Sequence, residues 1–195
     1  MNKLLKLISV TALSLLICAS AATAGEPLFK TYDFSNKKIS SDWSTKKTYI
    51  IAGNRVLGLF NNRNKRYPAQ TVLTLQNIPK NSAVTVKFDM FYVGSWDSEG
   101  KLADSFSVTI PEGAEIMKLT KFPCILENDD DEKPVNNTGF VKVGERDRAY
   151  WVAPLSFTVD HSMVLNGELK LEFKGSLTGR KTEFWALDNV KVFIN

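Results

Sequence analysis

Two cysteines, Cys18 and Cys124, and one histidine, His161, are all that this 195-residue chain offers for thiol and imidazole chemistry. Cys18 lies in an amino-terminal apolar run expected to be removed, which leaves Cys124 alone and excludes an intramolecular disulfide. Cys124, in KFPCIL, has apolar neighbours and reads as a small buried hydrophobe with nothing nearby to lower its pKa. His161, in TVDHSMVL, has neither a G-x-S-x-G elbow nor a cysteine partner. A strand would send it and Asp160 to opposite faces, so His161 is expected at a turn or strand end. Nothing marks a carboxylate pair for glycoside hydrolysis, a chemistry whose spacing is spatial rather than sequential. The chain reads as a non-enzyme.

Long apolar runs are also missing beyond the first residues, so no transmembrane anchor is expected. The start itself, MNKLLKLISVTALSLLICASAATA, has Lys3 and Lys6, a short apolar stretch and the small residues Ala22-Thr23-Ala24. This is the pattern of a secretory signal peptide over residues 1–24, of a compact bacterial kind, with cleavage after Ala24. A lipoprotein-type cleavage before Cys18 is the competing reading, and Ile17 departs from the small residue it calls for. The remaining residues 25–195 are expected to be secreted or periplasmic. Losing Lys3 and Lys6 lowers the formal charge from +4 to +2, too small a surplus to predict a nucleic-acid partner. With no disulfide, stability must come from a core. About 170 residues, with twelve Phe and four Trp in the full chain, suffice for one domain.

Helix-period patterns are absent, and period-two patterns are common. Val84, Val86, Phe88, Met90 and Tyr92 alternate with Thr85, Lys87 and Asp89, while Leu169, Leu171 and Phe173 alternate with Glu168, Lys170, Glu172 and Lys174. Each predicts an antiparallel strand with one buried face. Further strands are expected at 28–34, 48–53, 55–60, 70–75, 104–110, 150–159 and 186–194. Turn residues separate them at Gly53-Asn54, Pro79-Lys80-Asn81, Pro111-Glu112-Gly113, Asn166-Gly167 and Gly175 to Gly179. Many short strands with regular turns predict a single all-β domain, an antiparallel β-sandwich or barrel. The stretch ENDDDEKPVNNTG (127–139) is expected to be a long exposed loop, its acidic run a solvated face.

The segment TVLTLQNIPKNSAVTVKFDMFYVGSWDSEGKLADSFSVTI (71–110) resembles the central part of secreted jelly-roll modules, concanavalin-A-like or galactose-binding-like, of the carbohydrate-binding-module type. The tail strengthens the likeness, since Trp185-Ala186-Leu187-Asp188-Asn189-Val190-Lys191-Val192 fits their W-x-x-D-N-V-x-V closing strand. The resemblance spans most of residues 28–195 and implies a jelly-roll sandwich. It also implies a structural calcium held by Asp188, with Asp33 as companion by strand order. Alternatively, Asp188-Asn189 marks a bulge whose side chains bond the local backbone.

The loop of FYVGSWDSEGKLADSFSV offers a second metal candidate. Asp97, Glu99 and Asp104 bracket Gly100, so folding back would gather carboxylates around a hard cation, although the spacing is not that of an EF-hand. The other reading is a solvated connection with Trp96 packed beneath it, its indole N–H on a carbonyl. Two functions follow from these features. One is a secreted binding module for an extracellular glycan or surface component, with Trp43, Tyr67, Tyr150 and Trp151 as candidates to stack on sugar rings. The other is a structural or protein-interaction sandwich without a small-molecule site. An exposed row of coplanar aromatics on the concave sheet favours the first, and an aliphatic or charged face the second. Amino-terminal sequencing of the exported protein is expected to begin at Gly25; a lipid-modified chain starting at Cys18 would reverse the localisation.

Overall fold

The computed structural model describes residues 27–100, 103–122, 125–126 and 134–195. The leader with its cleavage site and Cys18, the lone Cys124, and the acidic run from Glu127 to Glu132 lie outside the described residues. The described chain is nearly all strand: β1 (Leu28–Tyr32), β2 (Thr48–Ile51), β3 (Asn54–Phe60), β4 (Gln70–Leu75), β5 (Val84–Gly94), β6 (Ser105–Thr109) and β7 (Glu115–Leu119). They are followed by β8 (Ile125–Leu126), β9 (Pro134–Val135), β10 (Gly139–Val143), β11 (Arg146–Val159), β12 (Leu169–Ser176) and β13 (Glu183–Ile194). A single 3-10 turn covers His161–Met163.

Two antiparallel sheets make the sandwich. The larger runs β10-β11-β5-β13-β3-β2, with β1 also on β13; the smaller runs β4-β12-β6-β7, and β8 pairs with β9 separately. The chain passes from one sheet to the other repeatedly, so each hydrophobic face is completed by segments distant in sequence. Between the sheets, Val84, Val86, Phe88, Met90 and Tyr92 of β5 meet Leu169, Leu171 and Phe173 of β12, all buried. Phe88 and Phe173 cross edge to face at 5.6 Å.

Strand β13 is bordered by β5 along one edge and by both β3 and β1 along the other. Trp185, Ala186 and Leu187 pair with β3, whereas Val190 to Phe193 pair with β1. Between Asp188 and Lys191 the register against β5 shifts by one residue, and Asn189 takes φ +50°. This bulge changes the strand's parity. Trp185 and Leu187 before it, and Val190 and Val192 after it, all face the same core, which strict alternation would forbid.

The expectation of one buried face per strand holds for β12 but not for the larger sheet. Its opposite face carries a second core of Val56, Leu59, Phe91, Val93, Val141, Tyr150, Phe184 and Ala186. The sheet curls around this cluster until its two border strands approach: the Tyr49 hydroxyl of β2 donates to the Lys142 carbonyl of β10 at 2.5 Å. Strand ends also move. β11 begins at Arg146 and β13 at Glu183, both earlier than the apolar runs suggest, and β7 and β10 have no clear alternation. Within 127–139, expected to be loop throughout, Pro134–Val135 pairs with Ile125–Leu126.

Phe173 is fully buried and Lys170, three residues away on the other face, is exposed. Phe173→Ala is expected to cost about 3–5 kcal/mol in denaturant melts and Lys170→Ala within about 0.5 kcal/mol; similar losses would place the register elsewhere.

Candidate functional site

The turn before β13, residues 177–182, is the junction of two features. Glu183 is buried on one side of it, and Phe184, by strand alternation, faces the second core on the other.

On the Glu183 side, the loop 97–104 closes on itself. The Asp104 N–H donates to the Asp97 carbonyl at 2.8 Å, and the Asp97 N–H donates to Asp104 Oδ2 at 2.8 Å. Asp104 Oδ1 accepts the Thr178 N–H at 2.9 Å, so one buried carboxylate ties the loop to the turn. Glu183 accepts the Gly179 N–H at 2.5 Å and the Thr182 hydroxyl at 3.3 Å. A Cβ at 179 would lie 2.2 Å from Glu183 Oε1, so a larger residue there would displace the Glu183 carboxylate from this turn. Asn61 completes the turn by donating to the carbonyls of Gly179 at 2.9 Å and Glu183 at 2.5 Å.

Asp97, Asp104 and Glu183 thus bring carboxylate oxygens within 4.8 Å of one another, a group that could hold a metal ion. Burial pushes Glu183 up to about 7, the backbone N–H of Gly179 opposes this, and the negative charges of Asp104 and Asp97 add to it. Asp104 is also raised by burial, against the N–H groups of Asp97 and Thr178 that lower it. Asp104 Oδ1 accepts both the N–H and the hydroxyl of Thr178, whereas Asp104 Oδ2 and the two Glu183 oxygens each accept one bond and keep a lone pair that suits a hard cation. Trp96 lies beneath, 2% exposed, its indole N–H donating to the Phe184 carbonyl at 3.0 Å.

The sequence expectations divide here. Asp97 and Asp104 do come together, but Glu99 stays outside, exposed and 4.0 Å from Lys121. Glu183 was not singled out, and only its place two residues before Trp185 of the closing motif hinted at it. Asp188 and Asp33 do not close into a comparable set of three among the described residues. Asp188 is buried at the bulge where β1 and β3 part, and accepts from Asn54 Nδ2 at 2.5 Å while its Oδ1 lacks a hydrogen-bond partner. Burial raises its pKa, the Asn189 backbone and Asn54 lower it, and Asp89 and Asp33 raise it further. Asp33 itself is exposed and bonds Ser35.

Of the aromatic candidates, three are packing residues. Trp43 is 1% exposed between Tyr32, Phe34 and Phe173. Trp151 is buried between the sheets, and Tyr150 is buried on the opposite face against Phe91 at 6.0 Å. Rings without an open face cannot stack on a sugar; the pattern of apolar neighbours around them in the sequence does not distinguish this outcome. Tyr67 alone is half-buried, edge-on to Phe184 at 5.0 Å, with Lys47 Nζ 4.6 Å from its ring centre. The solitary histidine sits at the 3-10 turn with its Nδ1 3.5 Å from Asp160 Oδ1, both exposed. His161 is thus at a turn, as expected, and the turn brings its side chain beside that of Asp160.

On the Phe184 side of the 177–182 turn is an open cleft of about 820 Å³. Its walls are the 64–67 turn, the β10–β11 hairpin tip and Arg180 to Thr182, with Tyr67 and Phe184 at its base. Arg66, Arg146, Arg148, Arg180 and Lys181 face Glu145 alone. Asn64 Nδ2 donates to the Arg180 carbonyl at 3.0 Å, and Arg148 donates to the Lys181 carbonyl at 3.2 Å, which fixes the rim. This basic cleft was not foreseen, because its cations come from three segments far apart in sequence.

Neither a protein-family model nor a curated protein matches the chain. Among solved structures, it is similar to the carbohydrate-binding module TmCBM27, described for specific mannan recognition, at TM-score 0.42 and 13% identity over 88% of this chain and 99% of that one. It is also similar to the K1 cleaved adhesin domain of Lys-gingipain from Porphyromonas gingivalis W83, at TM-score 0.41 and 12% identity over 85% of this chain and 98% of that one. A third is CBM27-1 of Caldicellulosiruptor saccharolyticus in complex with mannohexaose, at TM-score 0.37 and 15% identity over 84% of this chain and 96% of that one.

Because folding raises Glu183 to about 7 from an ordinary value near 4.5, the native state holds the extra proton between these values. Stability should therefore fall as pH rises through that window, by about 1–3 kcal/mol in chelator, and level off above it. Glu183→Gln is expected to flatten the fall in thermal melts from pH 5 to 8; an unchanged slope would mean that Glu183 ionises normally.

Proposed function

We propose that the chain is a non-catalytic binding module of the extracytoplasmic space, which holds a glycan or another surface component at the cleft beside the 177–182 turn. The observation that carries this reading is the cleft itself. It has the volume of a small-molecule site, a half-buried tyrosine at its base and several polar groups converging on it. The curled face of the larger sheet is filled by the second core instead, with Phe91 and Tyr150 buried, so that face offers no open row of rings to a ligand. The leader expected from the sequence supports the compartment.

In the same reading, Asp97, Asp104 and Glu183 hold a structural calcium. Three carboxylates with raised or crowded charges gain from a divalent cation, and Asp104 and Glu183 anchor the turn that carries Arg180 and Lys181. The ion's role is to fix this turn, with no part in bond making. The charged rim also suits the second reading, docking of an extracellular protein partner.

A glycan array probed with and without calcium tests both parts, alongside thermal melts. Calcium at a hundredfold excess over its dissociation constant is expected to add about 2.7 kcal/mol of stability. Asp104→Asn should remove that gain and Asp188→Asn should leave it. Melts indifferent to chelator, with no metal found by calorimetry, would remove the ion; an array without any bound glycan, beside capture of a surface protein, would favour the second reading.

A further inference from the structure

Taking the cleft as the binding site, we infer that its ligand is an acidic glycan, a sugar chain bearing carboxylate or sulfate groups. Five cationic residues face one acid, an excess larger than the +2 expected of residues 25–195, so positive charge is concentrated at this cleft. Among the described residues, none of Arg66, Arg146, Arg148, Arg180 and Lys181 forms an ion pair with a carboxylate. Unneutralised cations converging on a concave space attract an anion more strongly than the same charges on a flat surface. Four of the five are arginines, whose planar forks match carboxylate and sulfate oxygens in pairs. Arg148 is held at the wall of the cleft by its bond to the Lys181 carbonyl.

Two further features distinguish a sugar from other anions. Tyr67 offers a half-buried ring, steadied by Phe184 and Lys47, on which an apolar sugar face can rest. Glu145, the one acid among the cations, would repel a ligand dense in phosphate, whereas it can accept a hydrogen bond from a sugar hydroxyl. A ligand with alternating anionic and hydroxyl groups satisfies both. The cleft is also short and concave, unlike the extended basic track that a nucleic acid needs.

Calorimetry on the purified protein tests the inference with five probes: heparin, polygalacturonate, neutral galactomannan, polyglutamate and inorganic sulfate. Heparin or polygalacturonate should bind, and binding should weaken about tenfold or more between roughly 50 and 300 mM salt. The double variant Arg146→Ala/Arg180→Ala should lose about tenfold or more in affinity while its thermal melt is unchanged. Lys170→Ala, on the exposed face of β12, should bind as the wild type does. Galactomannan binding that is indifferent to salt would overturn the acidic class while leaving a glycan-binding module. Polyglutamate as tight as the acidic glycans would point to an acidic protein, and sulfate as tight as heparin to a lone oxyanion site; either overturns the inference. Full affinity in a folded double variant would do so too. No binding to any probe would remove both the inference and the glycan reading beneath it.

Discussion

The extra residue at Asp188-Asn189 governs much of this structure. Strand β13 has neighbours on both edges and apolar cores on both faces, so each of its side chains has an assigned side. A uniform alternation would turn Val190 and Val192 away from the sandwich core that Trp185 and Leu187 fill. The bulge corrects the parity and, at the same place, lets the facing edge change from β3 to β1. Burial of an aspartate is the cost of that switch, moderated by Asn54.

Legibility followed the number of layers. Strand β12 has one buried face, and its alternation in ELKLEFK could be read directly. In β5 the same reading found Val84 to Tyr92 but assigned the other face to solvent, where Phe91 and Val93 prove to be buried. Single-sequence periodicity detects the polar face that a strand keeps; a strand apolar on both faces loses that signal. Strand β10 presented a related difficulty, because Phe140 is exposed while Val141 and Val143 are buried.

The candidate site was legible only where it is local. Asp97 and Asp104 are seven residues apart on one loop, and their association was anticipated; Glu183 arrives from the far end of the chain through the pairing of β13 with β5. The basic cleft is less local still, as the 64–67 turn, the β10–β11 hairpin and the 180–182 segment meet only after the larger sheet has curled. Its position beside the carboxylates is mechanically meaningful. The backbone N–H groups of Thr178 and Gly179 are held by Asp104 and Glu183, while the next two side chains, Arg180 and Lys181, line the cleft.

The tyrosine clasp between β2 and β10 has a consequence for the protein's behaviour in crowded surroundings. Border strands with free N–H and C=O groups are templates on which a second chain can lengthen the sheet. Here two borders of the larger sheet, β2 and β10, are turned toward each other and joined through Tyr49 and Lys142. On the smaller sheet, residues 42–44 lie along β4, with the Thr74 N–H donating to the Asp42 carbonyl at 2.8 Å and the Ser44 N–H to the Val72 carbonyl at 2.9 Å. Among the described residues of the two main sheets, this leaves β1, which pairs only with β13, and β7 as borders without such a contact. On β7, the exposed Glu115 and Lys118 act as charged gatekeepers against strand donation from a neighbouring chain.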